Sequence, residues 1–219
     1  MAGTITELRF QRHTRDRVSV YLDGRYAFGL PATQAAHLQK GQFLSDAEIQ
    51  ALQQVDLRAK ALDRALRFLA VRPRSTWEVR QNLSRYRPQG RPLPPEHVAW
   101  VLARLEEQGY LDDRAFARYW VAQRQRFSPR GVRALAHELR QKGVPPSVID
   151  QVLASAGDEI AAAQKALRKR LPSWRHLDEE TLRRRAQGYL QRRGFDWETI
   201  AEVLAHLDRE DTDPADDAL

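Results

Sequence analysis

The chain contains no cysteine in 219 residues. That excludes disulfides, thiolate metal sites and cysteine nucleophiles. It also lacks any apolar run near the ~18 residues that span a bilayer, and its N-terminus has no signal-peptide apolar segment. There is no glycine-rich phosphate loop and no nucleophile elbow. The six histidines (His13, His37, His97, His137, His176 and His206) contain no pair at metal-ligand spacing within one helix. Asp112-Asp113 could suggest a metal pair, but adjacent residues point about 100° apart on a helix. The pair stands where a helix beginning near Arg114 needs an N-cap and favourable dipole charge. We therefore expect no enzyme, no cofactor and no metal. The absence of cysteine fits a cytoplasmic location.

What the chain has is charge, unevenly placed. Its 42% hydrophobic content can build a core, while 30% charged residues leave much polar surface. Residues 1–57 carry six basic and six acidic side chains. Residues 58–156 carry 19 and 9, a net of +10, and residues 157–207 carry 10 and 8. Residues 208–219 carry one and six, a net of −5. A basic middle with an acidic tail points to a polyanionic partner. The tail is expected to be disordered, and as a coil it could fold back over a basic flank.

The second positive feature is a repeat. Leu139, Gly143, Val144, Ile149, Val152 and Leu153 recur 51 positions later as Leu190, Gly194, Phe195, Ile200, Val203 and Leu204. Val98, Val101 and Leu102 stand 51 positions before Ile149, Val152 and Leu153. Repeats of this length indicate stacked units, none of which buries its apolar face alone. Each unit reads as three helices. The first is stopped by Pro73, Pro129 or Pro172. The second restarts behind Ser75 with Glu78, behind Ser128 with Pro129 at the first helical position, or behind Asp178. It ends at Gly143 and Gly194 in units two and three. In unit one a stiff proline-rich loop from Arg87 adds length.

Ahead of the repeats, Val18–Leu22 and Arg25–Leu30 alternate around Asp23-Gly24, a hairpin signal, and Ile5–Phe10 offers a third strand. After Pro31 the pattern is helical, with a Ser45/Glu48 capping box opening a stretch to about Val71. The predicted fold is mainly α: a tandem array of three three-helix repeats, elongated and curved, with a small N-terminal antiparallel β module. Its boundaries are 1–57, 58–111, 112–156, 157–207 and the tail 208–219.

Helical geometry sorts the surface. Phe116, Tyr119, Trp120 and Phe127 share a face, with Arg114, Arg118 and Gln125 opposite. Val132, Leu135, Ala136 and Leu139 form the next stripe, flanked by Arg130, Arg133, His137 and Arg140, with Glu138 on the other side. Candidate contact residues are Arg72, Arg74, Arg80, Arg118, Arg124, Arg126, Arg130, Arg133, Arg140 and Lys142. Trp77 and Trp100 lie off their stripes, either packing between repeats or anchoring a partner.

Four segments then carry a resemblance: Arg72-Pro-Arg-Ser-Thr-Trp-Glu-Val79; Gly109-Tyr-Leu-Asp-Asp113 followed by Phe116-Ala117; Leu139-Arg-Gln-Lys-Gly-Val144; and Tyr189-Leu-Gln-Arg-Arg-Gly-Phe195. In this order, within about 59–207, they resemble the signatures of RecX, a family of bacterial regulators of the recombinase RecA. The resemblance implies a modulator that binds the RecA–DNA filament along its helical groove and restrains ATP hydrolysis and strand exchange. It also implies affinity for single- and double-stranded DNA. It marks Ser75, Glu78, Gly109, Asp112, Asp113, Gly143 and Gly194 as architectural. The chain is expected to act as a monomer, without a membrane. Competing readings are a stand-alone DNA-binding protein, whose three-helix units would insert into the major groove, and an adaptor for protein partners alone.

Overall fold

The computed structural model describes residues 2–12 and 16–210, and the tail from 211 onward lies outside the described residues. Two compact units emerge. One comprises Met1–Arg72 and Val79–Leu111, the other Pro73–Glu78 and Asp112–Leu219.

The first unit opens with β1 (Gly3–Phe10), β2 (Arg17–Leu22) and β3 (Arg25–Pro31), the last two joined by the expected Asp23-Gly24 turn, both residues of which have positive φ. A two-residue strand, β4 (Phe43–Leu44), interrupts the stretch read as helical after Pro31. It pairs with Gly3 and Thr4, giving an antiparallel sheet ordered β3-β2-β1-β4. The alternating pattern of β2 buries Val18, Val20 and Leu22 against the short α1 (Ala32–Ala35) and the start of α2 (Asp46–Val71). Ser45 caps α2 as the sequence predicts. Its Oγ accepts from the Glu48 amide while the Glu48 carboxylate accepts from the Ser45 amide at 2.7 Å. The Ser45 hydroxyl also donates to that carboxylate at 2.7 Å, and this bond first, the one from the Ser45 amide second, holds the Glu48 carboxyl below the usual range.

The later part of α2 packs with α3 (Thr76–Ser84) and α4 (Pro95–Glu107) around Ala61, Ala65, Val79, Leu83, Val98, Val101, Leu102 and Leu105, all buried. The proline-rich loop between α3 and α4 contains one 3-10 turn at Pro88–Gly90.

The second unit holds two further three-helix groups: α5 (Asp113–Phe127), α6 (Val132–Gln141) and α7 (Pro146–Leu153), then α8 (Glu159–Arg168), α9 (Glu179–Arg192) and α10 (Trp197–Glu210). Leu139, Val144, Ile149 and Val152 fill one core, and Leu190, Phe195, Ile200, Val203 and Leu204 the next. The 51-residue echo is thus the recurrence of core positions, with Leu153 only partly buried. Gly143 and Gly194 take φ of +71° and +80° just after their helices, the geometry glycine adopts without a β-carbon penalty.

The start of α6 corrects the sequence reading. Pro129 is not its first helical residue and Ser128 does not cap it. Ser128 ends α5, and Gly131 is the N-cap. Having no side chain to offer, Gly131 leaves the capping to the third helical group, where Glu159 Oε1 accepts from the Val132 amide at 2.9 Å. Burial pushes the Glu159 carboxyl up, and the bond to Val132 opposes that shift.

The same joint forms twice in this unit. The N-cap residue Ser75 donates its hydroxyl to Lys142 O at 2.6 Å, and the N-cap residue Gly131 donates its amide to Arg193 O at 3.0 Å. Lys142 and Arg193 are themselves 51 positions apart. The N-terminus of each second helix therefore seats on the glycine-capped C-terminus of the second helix one repeat further on. The positive end of one helix dipole meets carbonyls left over by another. Trp77 lies against Gly143 and Ala134 against Gly194 so closely that a β-carbon on either glycine would come within 3.0 Å of them.

Candidate functional site

The sequence reading supplied ten cationic candidates, and the structure divides them by what they touch. In the second unit, Glu138 gathers two of them, together with Trp120. Its Oε2 accepts from Arg124 Nε and from Trp120 Nε1, both at 2.7 Å, and its Oε1 lies 3.5 Å from Arg130 Nε. The Arg124 guanidinium covers the Trp120 ring at 4.6 Å, and Lys142 Nζ stands 5.0 Å from the same ring. Lys142 also bonds Glu78 Oε1 at 3.1 Å. Arg124, Arg130 and Lys142 are therefore committed to holding α5, α6 and the segment around Glu78 together. Glu138 had stood out in the sequence only as the acidic exception on a basic helix. Its organising role was invisible because the partners lie on α5 and on the loop after it, eight to eighteen residues away.

Other candidates face solvent. Arg118, Arg126, Arg133 and Arg140 are exposed, as is Arg80 in the first unit. Arg133, His137 and Arg140 follow one flank of α6 at spacings of four and three, and all three are exposed. His137 contacts Gln141 through Nε2 at 2.9 Å. Arg126 stacks its guanidinium over the exposed Phe127 ring at 5.0 Å. Phe127, the last residue of α5, is exposed and does not join the buried face on which helical geometry had put it. Arg72 and Arg74 are half-buried and engaged.

The two tryptophans have different settings. Trp77, 43% exposed, packs its Cβ and ring base on Gly143. Trp100, 38% exposed, lies under the Arg58 guanidinium at 5.6 Å. Arg58 also donates from Nε to Nδ1 of His97, a buried residue whose Nε2 meets Gln54 Oε1 at 2.5 Å. An imidazole accepting at Nδ1 carries its proton on Nε2, which here points to an amide oxygen. Burial first, and the Arg58 charge second, hold the His97 pKa below its ordinary value. Sequence gave no sign of this cluster, since its partners are 39 and 43 residues away.

Asp112 and Asp113 are structural. Asp112 caps α5 by accepting from the Arg114 and Ala115 amides, and Asp113 accepts from the Thr76 amide at 2.8 Å. Among the described residues no group of three or more histidine, aspartate or glutamate side chains is placed to hold a metal ion. No described helix is long and apolar enough to cross a membrane.

Known proteins supply the frame for this arrangement. Four domain models match in chain order: the regulatory protein RecX N-terminal domain over residues 3–45, and the first, second and third three-helix domains of RecX over 61–87, 112–153 and 157–204. The regulatory protein RecX of Bacillus subtilis (strain 168) is 33% identical over 220 residues, covering 98% of this chain and 81% of its own. The chain belongs to the RecX family. A RecX from Prosthecochloris aestuarii is 36% identical over 148 residues, covering 68% of this chain and 93% of that one. A crystal structure of regulatory protein RecX superposes with a TM-score of 0.72 at 27% identity, covering 92% of this chain and 98% of that one. RecX from Lactobacillus salivarius shares the fold, with a TM-score of 0.61 at 18% identity over 70% of this chain and 98% of that one. The family is one of regulatory proteins, and the four matched domains fall on the β module and the three helical groups described above.

Proposed function

We propose that this protein regulates a RecA-type recombinase by binding its DNA filament, inhibiting ATP hydrolysis and strand exchange. The observation that carries the reading is the division among the arginines. Glu138 and Glu78 engage Arg124, Arg130 and Lys142, while Arg118, Arg133 and Arg140 stay exposed on helices whose other faces are core. Exposed guanidinium groups on rigid helices suit a polyanionic filament, because the helices fix the backbone before binding and the planar guanidinium fork loses less entropy per hydrogen bond than an ammonium does.

Such a protein needs no catalytic group. It restrains hydrolysis if it binds one filament state better than another, by an amount equal to its differential affinity. Lying in the helical groove and bridging adjacent protomers would supply that difference. The chain acts as a monomer in this reading, and its contact set is Arg118, Arg126, Arg133 and Arg140, with Arg80 on the first unit.

A second reading is favoured by one observation. Arg133, His137 and Arg140 give a three-helix group an exposed basic flank, the electrostatic footprint of a protein that binds DNA by itself. Titration of preformed RecA–single-strand filaments separates the two. The filament reading expects loss of ATPase at protein levels well below those that coat naked DNA at the same salt. Inhibition only at coating levels would favour the second reading.

A further inference from the structure

The filament reading leaves the N-terminal sheet without a role, yet one face of that sheet is built unlike a mere lid on a core. Its inner face is filled by Ile5, Val20, Leu22, Phe28 and Leu30 against α1 and α2. On the other face, irregularities after Ile5 and Val20 bring Glu7, Tyr21 and Tyr26 into one cross-strand row, with Arg9, Ser19 and Gly29 in the next. The Tyr21 and Tyr26 rings meet edge to face at 5.9 Å, and the Arg9 guanidinium lies 5.4 Å from the Tyr21 centroid. Tyr26 is 60% exposed.

Tyr26 has a second neighbour. Along β3, the edge strand, it lines a cleft of about 330 Å³ together with Gly29, Gln53, Lys60 and Arg91. That volume is at the lower end of small-ligand sites, roughly 300–1,000 Å³. The cleft holds one carboxylate, Asp56, which is buried and bound by both Arg17 and Lys60. Within the cleft's lining, Lys60 and Arg91 against Asp56 leave one positive charge in surplus. On the sheet face, Glu7 is already chelated by Arg9 at 2.9 and 3.0 Å, and Asp23 accepts from the Thr4 amide at 3.1 Å.

A solvated aromatic pair bordering a cationic cleft matches one kind of polymer. Single-stranded nucleic acid offers a π-face at every base and a phosphate at every step. A duplex keeps its base faces stacked inside, and an acidic peptide has no repeated flat ring to place on tyrosine. We propose that the outer face of the N-terminal sheet binds single-stranded nucleic acid, with a base stacked on Tyr26 and the adjoining phosphate in the cleft beside Lys60 and Arg91. This goes beyond the filament reading and does not depend on it, since the naked strand is sufficient as a probe.

The experiment is fluorescence anisotropy of end-labelled oligo(dT) with the full chain, in parallel with a blunt duplex of equal length and across a salt series. Tyr26→Ala is expected to weaken oligo(dT) binding at least about fivefold, leaving the salt dependence unchanged, because base stacking is lost and no charge is. Tyr26→Phe keeps wild-type affinity. Arg91→Gln weakens binding and lowers the log–log salt slope by about 0.7, the value for one phosphate contact on a single strand. Duplex binding stays as in wild type for Tyr26→Ala. Both altered residues are exposed, so circular dichroism should show the fold intact. Wild-type oligo(dT) affinity in Tyr26→Ala and Arg91→Gln would overturn the proposal. So would an equal loss on duplex for Tyr26→Ala, and so would a loss of recombinase regulation in these variants with oligo(dT) affinity unchanged, which would give the face to a protein partner.

Discussion

Gly131 and Gly194 meet backbone to backbone, with no room for a β-carbon on the first: an atom there would come within 3.0 Å of the carbonyl oxygen of the second. The contact seats α6 on the C-terminus of α9, alongside the bond from the Gly131 amide to Arg193 O. Arg193 reinforces the joint from its side chain, donating to Ser128 Oγ at 3.2 Å and Pro129 O at 2.9 Å.

Gly131→Ala should therefore destabilise the protein by about 2 kcal/mol or more, as overpacking does where the obstacle is backbone. Gly188 is the internal control. It lies within α9, and a β-carbon there meets only the far end of the Arg192 side chain at 3.2 Å. Gly188→Ala should stabilise by about 0.5–1 kcal/mol through helix propensity. Urea denaturation of the two variants reads both signs, and a neutral Gly131→Ala would remove the backbone joint from the account.

The contrast between these glycines shows what the sequence could carry. Gly143 and Gly194 were legible as helix stops because each ends an apolar stripe, and the core positions were legible because burial follows period. Gly131 was not, since Ser128-Pro129 offered a stronger local start signal three residues earlier. That signal lost because Glu159 and Arg193, distant in sequence, satisfy the amides of Gly131 and Val132 instead. The ten cationic candidates were legible as types but not as roles. Whether an arginine is committed depends on carboxylates such as Glu138 and Glu78, whose reach crosses segments.

Glu138→Ala removes the acceptor for Trp120 and Arg124 together. The two donors are part-buried, so the expected cost is about 1–3 kcal/mol, read as a lower melting temperature with a change in tryptophan fluorescence. Arg133→Ala, on the exposed flank, should stay within about 0.5 kcal/mol of wild type. Equal stability losses in the two would contradict the division between committed and exposed cations.

His97 gives the fold a defined pH dependence. Its folded pKa lies below the ordinary value, about 6.5 in the unfolded chain. The unfolded state therefore binds the proton more readily than the folded one. The stabilisation is complete above about pH 6.5 and is lost as pH falls toward and through the folded pKa. Denaturation midpoints at pH 7.5 and 5.5 should differ more in wild type than in His97→Gln. The amide of that variant cannot charge, so a pH dependence unchanged by it would sink this assignment.

The central claim is that exposed arginines on α5 and α6 meet the recombinase filament while the Glu138-bound ones hold the fold. It is tested most directly by titrating preformed RecA–single-strand filaments with wild type and with the triple variant Arg118→Ala/Arg133→Ala/Arg140→Ala, and measuring ATPase. The account predicts a half-inhibitory concentration at least about tenfold higher for the variant, the effect of some 1.4 kcal/mol, at an unchanged melting temperature. Superimposable inhibition curves for the two proteins would contradict it.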